Sequence, residues 1–154
     1  MDLTFAGQRR HRVLLARPVC AEALVRLDVF FEVEQADNSD VLDRATLAAH
    51  LAGKSALMAM RTARIDGGML ANLPHLKAVC KVGPVHDDID LEACTRAGVM
   101  ATNTLDLGVG EAAWRQMSLA AAENLIAAFG FGRAAGHPKN LLNTELRCML
   151  GCCG

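Results

Sequence analysis

Short apolar runs alternate along this chain with longer segments in which apolar residues recur every three or four positions. The short runs are typical of strands and the longer periodic segments are typical of helices. The pattern predicts strands over residues 13–16, 31–34, 56–60, 76–82 and 99–104. It predicts helices over residues 21–30, 42–51, 66–73, 91–97 and 111–129. The chain therefore alternates strands and helices from its first apolar run onward.

Such alternation indicates an α/β fold in which helices cover both faces of a parallel sheet. We expect a flavodoxin-like doubly wound sheet of about five strands in the order 2-1-3-4-5, followed by a long C-terminal helix and an irregular tail. Residues 31–34 alternate apolar and charged side chains, which favours an edge position. A ligand site is expected beyond the carboxyl ends of strands one, three and four.

Helix ends are marked by residues that favour caps. Asn38, Ser39 and Asp40 are the expected N-cap of the second helix, because their side chains accept hydrogen bonds from free backbone N–H groups. Asp90 is the expected N-cap of the fourth helix, which Gly98 ends.

The composition excludes several classes of protein. The chain has 154 residues, of which 52% are hydrophobic, and such a sequence buries enough apolar surface to fold. Its 16 Lys and Arg residues against 17 Asp and Glu residues give a net charge of −1, and aromatic residues make up only 4%. We expect no nucleic-acid partner, because neither a basic face nor a base-stacking surface is indicated.

Targeting and cysteine patterns indicate the cytoplasm. The sequence shows no secretory signal and no apolar run long enough to span a membrane. None of its six cysteines forms a C-x-x-C pair, so reduced thiols are expected. Cys148, Cys152 and Cys153 lack a histidine or a second pair that would complete a tetrahedral metal site.

The most distinctive loop covers residues 83–90 and reads Gly-Pro-Val-His-Asp-Asp-Ile-Asp. It joins a buried strand to the start of a helix, where backbone N–H groups favour an anion. Arg61 follows the neighbouring strand and is placed to bind a carboxylate through two hydrogen bonds. A metal held by His86 and the adjacent acids is an alternative, but acids crowded at a helix start are more typical of capping, and we expect no metal.

Signatures of other enzyme classes are missing from the sequence. It contains no G-x-S-x-G motif of hydrolases and no G-x-x-x-x-G-K-[ST] loop of nucleoside triphosphatases. Arg17 and Arg61 follow the first and third strands, where a receiver domain needs acidic residues.

Three consecutive motifs in the middle of the chain follow a family pattern. Residues 73–79 read Leu-Pro-His-Leu-Lys-Ala-Val, residues 82–94 contain Gly-Pro-Val-His-Asp-Asp-Ile-Asp, and residues 97–104 read Ala-Gly-Val-Met-Ala-Thr-Asn-Thr. Together they resemble the NAD(P)-dependent D-2-hydroxyacid dehydrogenases, especially the glyoxylate/hydroxypyruvate reductases. That family's pattern runs P-x-L-K, G-x-G-x-D-N-I-D, R-G-I/V and N-T-P. The resemblance covers most of residues 13–147.

The resemblance implies a flavodoxin-like substrate domain whose ligand is a small 2-keto or 2-hydroxy acid. It implies four substrate-binding residues, which are Arg61, Gly83, Pro84 and Val85. Arg61 is expected near the substrate carboxylate, and the other three form the backbone loop that holds it. The chain departs from the pattern at Val85 in place of glycine, at Asp88 in place of asparagine and at Leu105 in place of proline.

Residues 145–154 are similar to the family's linker and the first strand of its nucleotide domain, E-L-R-G-K-T-L-G-I-V-G. By this similarity Gly154 is the vestigial first glycine of G-x-G-x-x-G, without the later glycines or the family's catalytic Arg, Glu and His. We therefore expect the substrate-domain portion of an oxidoreductase that transfers hydride between a nicotinamide cofactor and a 2-keto or 2-hydroxy acid. It is expected to be truncated, inactive alone and without bound NAD or NADP. The alternative is a non-enzymatic module that binds a small carboxylate or another protein.

The predicted domain organisation follows from this resemblance. It comprises a flexible N-terminus (1–11), a substrate-binding domain (12–110), an inter-domain or dimerisation helix (111–130), and a linker with the start of a nucleotide domain (131–154). The helix over 111–129 is expected to expose an Ala/Leu face. The expected protein partner is therefore a second copy or a full-length homologue.

Overall fold

Five strands alternate with five helices in the computed structural model, which describes residues 10–36, 42–132 and 137–146. The strands are β1 (Arg12–Leu15), β2 (Glu32–Gln35), β3 (Ala56–Ala59), β4 (Ala78–Lys81) and β5 (Met100–Thr102). The helices are α1 (Ala21–Phe30), α2 (Arg44–Leu51), α3 (Gly67–Leu70), α4 (Leu91–Ala97) and α5 (Glu111–Ala128). The predicted alternation of elements is confirmed.

All five strands run parallel in the order β2-β1-β3-β4-β5. The register aligns Leu14 with Leu57, Leu57 with Val79 and Val79 with Ala101, so one apolar row crosses four strands. The alternating strand β2 occupies one edge, as its pattern predicts. The flavodoxin-like doubly wound sheet is therefore confirmed.

Two hydrophobic cores cover the two faces of the sheet. Leu15, Met58 and Cys80 belong to the core that α1 and α5 cover. Leu14 and Leu57 point the other way, into the core that includes residues of α2, α3 and α4. Because both faces are buried, the inner strands are almost entirely apolar.

The cap of α2 differs from the sequence prediction. The helix begins after Asp43, whose carboxylate accepts a hydrogen bond from the Thr46 N–H at 2.7 Å. The prediction of Asn38, Ser39 or Asp40 as the cap is therefore wrong, because an acceptor closer to the helix satisfies its free N–H groups. Asp90 caps α4, and Gly98 ends it at φ 74°, both as predicted.

Helix α5 packs on the sheet beside α1. Met117, Ala121, Leu125 and Ile126 lie in the same core as β1, β3 and β4. The expectation that this helix exposes an Ala/Leu face is wrong, because the sheet itself supplies the apolar partner. The core thus continues across the predicted boundary between residues 110 and 111, while an inter-domain or dimerisation role for α5 stays a prediction.

Residues 137–146 contact the open edge of β5. The Asn143 side chain accepts from the Ala101 N–H at 2.9 Å and donates to the Val99 carbonyl at 2.7 Å. Leu142 donates its N–H to the Ala101 carbonyl, and Leu146 is fully buried. This part of the predicted linker therefore belongs to the folded sheet.

Several sequence predictions fall on residues outside the described ranges. They include the N-terminal residues 1–9, the three terminal cysteines and Gly154. Cys20, Cys80 and Cys94, which are described, are buried free thiols. Burial raises the pKa of the Cys80 thiol to about 12 and that of Cys94 to about 11. None of the helices that the structure describes is long and apolar enough to cross a membrane.

The shared core predicts that α5 is required for stability. Leu125 is fully buried, so Leu125→Ala should lower the free energy of unfolding by about 2–5 kcal/mol through lost burial and a residual cavity. Val29 on α1 is 62% exposed, and Val29→Ala should change the same quantity by less than about 0.5 kcal/mol. Urea unfolding followed by circular dichroism measures both. Equal, small effects of the two substitutions would show that α5 does not share the core.

Candidate functional site

Three loops meet at the carboxyl edge of the sheet. Arg61 and Thr62 follow β3, Gly83 begins the loop after β4, and Asn103 and Thr104 follow β5. Because these strands are neighbours and parallel, their following loops lie side by side. The predicted residues Arg61 and 83–85 therefore come from adjacent loops.

Gly83 ties the β4 loop to the β5 loop. Its N–H donates to the Thr104 hydroxyl at 2.7 Å, and the Thr104 N–H donates to the Gly83 carbonyl at 3.1 Å. The Asn103 side chain donates to the Pro84 carbonyl at 3.0 Å. Gly83 has φ 103°, a left-handed conformation that favours glycine. The sequence requirement for glycine in this loop thus lies at Gly83.

Only part of the predicted backbone cradle has donors available for a ligand. The Gly83 N–H is occupied by Thr104, and Pro84 has no N–H. The Val85 N–H has no acceptor within the described residues, and its side chain is 41% exposed. Val85 is absent from the positive-φ positions, so its Cβ fits the backbone without strain. Of the three loop residues predicted, Val85 alone offers a free donor.

Arg61 supplies an available positive charge beside this loop. Its side chain is exposed and makes no hydrogen bond or ion pair with any residue that the structure describes. A guanidinium without an acidic partner retains its full capacity for a bidentate bond to a carboxylate.

Lys81, at the end of β4, forms a buried ion pair that the sequence analysis did not identify. Its side chain is 0% exposed, and its Nζ lies 2.7 Å from Asp88 Oδ2. The same carboxylate oxygen accepts the Thr62 N–H at 3.0 Å. Burial lowers the pKa of the Lys81 ammonium, and the Asp88 carboxylate opposes that shift. Lys81 and Asp88 thus join the β3 loop to the β4 loop.

The main chain joins the same two loops further along. Ile65 donates its N–H to the Asp88 carbonyl at 2.9 Å and accepts from the Asp90 N–H at 2.9 Å, so that a bridge pairs Ile65 with Ile89. Arg64 donates to the Asp87 carbonyl at 3.2 Å. These contacts hold the loops together independently of Lys81.

A signal for the ion pair exists in the sequence. Lys81 interrupts an apolar run, and a lysine buried in a strand requires an acidic partner. Asp88 is seven positions later, but the side-chain direction that unites them depends on the turn at residues 83–87. The sequence pattern thus indicates that Lys81 needs an acidic partner, but it does not indicate which acid this is.

The acids and histidine of this loop have structural partners. Asp90 accepts the Ala93 N–H at 3.1 Å as the cap of α4, and His86 Nδ1 lies 3.1 Å from the Pro84 carbonyl. Among the described residues, no group of three or more His, Cys, Asp or Glu side chains is arranged to hold a metal ion.

Asp66 anchors the far end of the Arg61 loop. Its carboxylate accepts from Arg44 at 2.8 and 3.1 Å and caps α3 through the Met69 N–H at 3.0 Å. The Arg44 hydrogen bonds and then the Met69 N–H lower the pKa of Asp66 to about 2. The ionised carboxylate is therefore the form that the fold favours.

This pKa predicts a specific dependence of stability on pH. The folded pKa of Asp66 lies below the unfolded value of about 3.9, so its stabilisation is complete well above pH 4 and is lost as pH falls towards 2. Asp66→Asn should therefore be less stable than the wild type at pH 7, and the difference should shrink between about pH 5 and pH 2. Urea unfolding across this range measures it. Arg44→Gln should remove most of the same pH dependence, whereas parallel curves for all three proteins would contradict the assignment.

The sequence is similar to a family of oxidoreductases. Residues 13–137 match the family model described as D-isomer specific 2-hydroxyacid dehydrogenase, catalytic domain. The chain is 33% identical over 150 residues to a glyoxylate reductase of Aeropyrum pernix, with 90% of this chain and 44% of that protein covered. It is 32% identical over 126 residues to a glyoxylate reductase of Thermococcus gammatolerans, with 80% and 37% covered. The chain thus spans less than half the length of these relatives.

A solved structure shares the fold. A crystal structure from Polaromonas, described as a D-isomer specific 2-hydroxyacid dehydrogenase, superposes with a TM-score of 0.58 at 23% identity. The superposition covers 62% of this chain and 30% of that one. At this level of identity the similarity shows the fold alone.

Proposed function

Because the chain belongs to the D-isomer-specific 2-hydroxyacid dehydrogenase family, we propose that it forms the part of such an oxidoreductase that binds a 2-keto or 2-hydroxy acid. The observation that carries this proposal is that the Arg61 guanidinium and the Val85 N–H, in the adjacent loops after β3 and β4, both lack a hydrogen-bond partner among the described residues. Both groups suit a carboxylate, and they follow neighbouring parallel strands.

In the proposed binding mode, one side chain and one main-chain N–H bind the carboxylate. Arg61 neutralises the carboxylate through paired hydrogen bonds, and the Val85 N–H fixes its orientation. Thr104 and Asn103 keep the Val85 loop in place by bonding Gly83 and Pro84. The 2-carbon of the acid is thereby oriented for reaction, which is the contribution of a substrate domain.

The residues that the structure describes do not fit a dinucleotide cofactor. In a dinucleotide-binding fold, a glycine-rich turn directly connects the end of a strand to the start of a helix. Gly108 and Gly110 precede α5 at positive φ, but residues 103–107 separate them from β5, and Val109 between them is fully exposed. Gly154, the predicted first glycine of a nucleotide loop, is outside the described residues. Members of the family use NAD or NADP, and we propose that this chain alone binds neither.

The proposal predicts that Arg61 governs affinity for glyoxylate. Arg61→Gln removes the charge-assisted hydrogen bonds, so the Kd for glyoxylate should rise by about 10-fold or more. Arg96→Gln removes the same charge from the exposed last turn of α4. This turn is at the end of the helix away from the 83–90 loop, so the Kd should stay within about 2-fold of the wild-type value. Titration followed by 15N-resolved NMR measures both Kd values and locates the shifts.

Two outcomes would contradict this assignment. A wild-type chain with no saturable shift at Val85 and Thr62 would remove the carboxylate site. An equal loss of affinity in both arginine variants would show that general electrostatic attraction, rather than Arg61, holds the ligand.

The alternative function is a non-enzymatic module that binds a small carboxylate. Its support is that the Arg61 guanidinium and the Val85 N–H suit a carboxylate by themselves, because binding the ligand needs no nicotinamide. We therefore expect no oxidation of NADH or NADPH by the purified 154-residue chain with glyoxylate or hydroxypyruvate, measured by absorbance at the nicotinamide band. Turnover that Arg61→Gln abolishes would contradict the proposal that the chain is inactive alone.

We also propose association with a second copy or with a full-length homologue. Leu105, Leu107 and Val109 are 68%, 43% and 100% exposed on one segment, and such a group supports a protein contact.

We propose a reducing, cytoplasmic location, which the buried free thiols of Cys20, Cys80 and Cys94 support.

A further inference from the structure

We propose that Lys81 and Asp88 are positioning residues that hold the Arg61 loop in the geometry needed for carboxylate binding. Neither residue is expected to touch the ligand, because Lys81 is completely buried and the Asp88 side chain is only 14% exposed. The effect on ligand affinity rests on the proposed function, whereas the effect on the loop does not.

Lys81 confines the Asp88 carboxylate. A buried ammonium is strongly unfavourable without an anion, and the anion that contacts Lys81 is the Asp88 carboxylate at 2.7 Å. Lys81 is the last residue of β4 and is paired with Ala59 across the sheet, so its backbone is fixed. The ion pair therefore fixes Asp88 Oδ2 relative to the sheet.

Asp88 in turn fixes the backbone next to Arg61. Asp88 Oδ2 also accepts the Thr62 N–H at 3.0 Å, and Thr62 directly follows Arg61. The amide that donates this bond is the peptide group between Arg61 and Thr62. Losing its acceptor frees the peptide bond that sets the direction of the Arg61 side chain.

Other main-chain bonds keep the two loops folded together without the Asp88 side chain. The Ile65 N–H donates to the backbone carbonyl of Asp88, and the Asp90 N–H donates to the Ile65 carbonyl. A substitution of the Asp88 side chain leaves these main-chain bonds available. The loss should therefore be confined to residues 61 and 62, while Ile65 remains protected.

Oδ1 of Asp88 and the Thr62 hydroxyl are both buried without a hydrogen-bond partner among the described residues. The favourable contacts of the Asp88 carboxylate thus converge on a single oxygen, the one shared by Lys81 and Thr62. This arrangement makes the Lys81–Asp88 pair and the Thr62 bond interdependent.

The test compares amide hydrogen exchange at Thr62 with glyoxylate affinity in the full 154-residue chain. Asp88→Ala should accelerate Thr62 exchange by about 10-fold or more and raise the glyoxylate Kd several-fold, with exchange at Ile65 unchanged. Lys81→Met should have the same effects, because the buried Asp88 carboxylate loses its counter-ion and turns away from the Thr62 N–H towards solvent. Glu92→Gln removes an exposed carboxylate from the first turn of α4 and is the control, expected to match the wild type.

Either single substitution leaves an unpaired buried charge, which can destabilise the whole fold. A double substitution avoids this. Lys81→Met with Asp88→Asn removes both charges but keeps an amide oxygen for the Thr62 N–H, and neutral replacement of a buried ion pair is well tolerated. This variant should restore slow Thr62 exchange and recover the affinity lost in Asp88→Ala. Such rescue would show that a neutral acceptor at position 88 holds the Thr62 N–H, and that Lys81 acts by compensating the Asp88 charge.

Three results would overturn the proposal. They are wild-type exchange and affinity in Asp88→Ala, equal acceleration at Thr62 and Ile65, and a double variant that restores Thr62 protection without restoring affinity. If the wild type binds no glyoxylate, the proposed function fails, and Thr62 exchange still decides whether Lys81 and Asp88 hold the loop.

Discussion

Parallel pairing of the five strands is the constraint on which the other features of this protein depend. Because each strand returns through a crossover, helices must cover both faces, and the two separate hydrophobic cores follow from that requirement. The same pairing directs every strand's carboxyl end to one edge. Arg61, Val85 and Thr104 are distant in sequence by up to 43 positions, yet their loops meet there.

Adjacent loops do not by themselves make a site, because each needs a fixed position relative to the next. On one side, Gly83 and Thr104 exchange hydrogen bonds between the loops of β4 and β5. On the other, Lys81 and Asp88 connect the loop of β4 with that of β3. The β4 loop is thus the central element, and its left-handed Gly83 makes the connection to the β5 loop.

The order of elements was predictable because apolar periodicity and helix caps are local signals. Asp90 and Gly98 delimit α4 as their types require, and the edge position of β2 follows from its alternating charges. The packing of α5 was not predictable in this way, because an Ala/Leu face is compatible with a sheet, a second domain or another subunit. Lys81 shows the same limit at the site, since its partner depends on a turn whose shape is not encoded by spacing.

The two lateral edges of the sheet are protected by different means. Strand β2 carries Glu32 and Glu34, charges that oppose pairing with another strand. At β5, Asn143 replaces a neighbouring strand by offering one acceptor and one donor through its side-chain amide. At the carboxyl edge, the Val85 N–H after β4 and the Arg61 guanidinium after β3 have no partner among the residues that the structure describes. Parallel pairing therefore places these two groups at the edge formed by loops, while each lateral edge has its own protection.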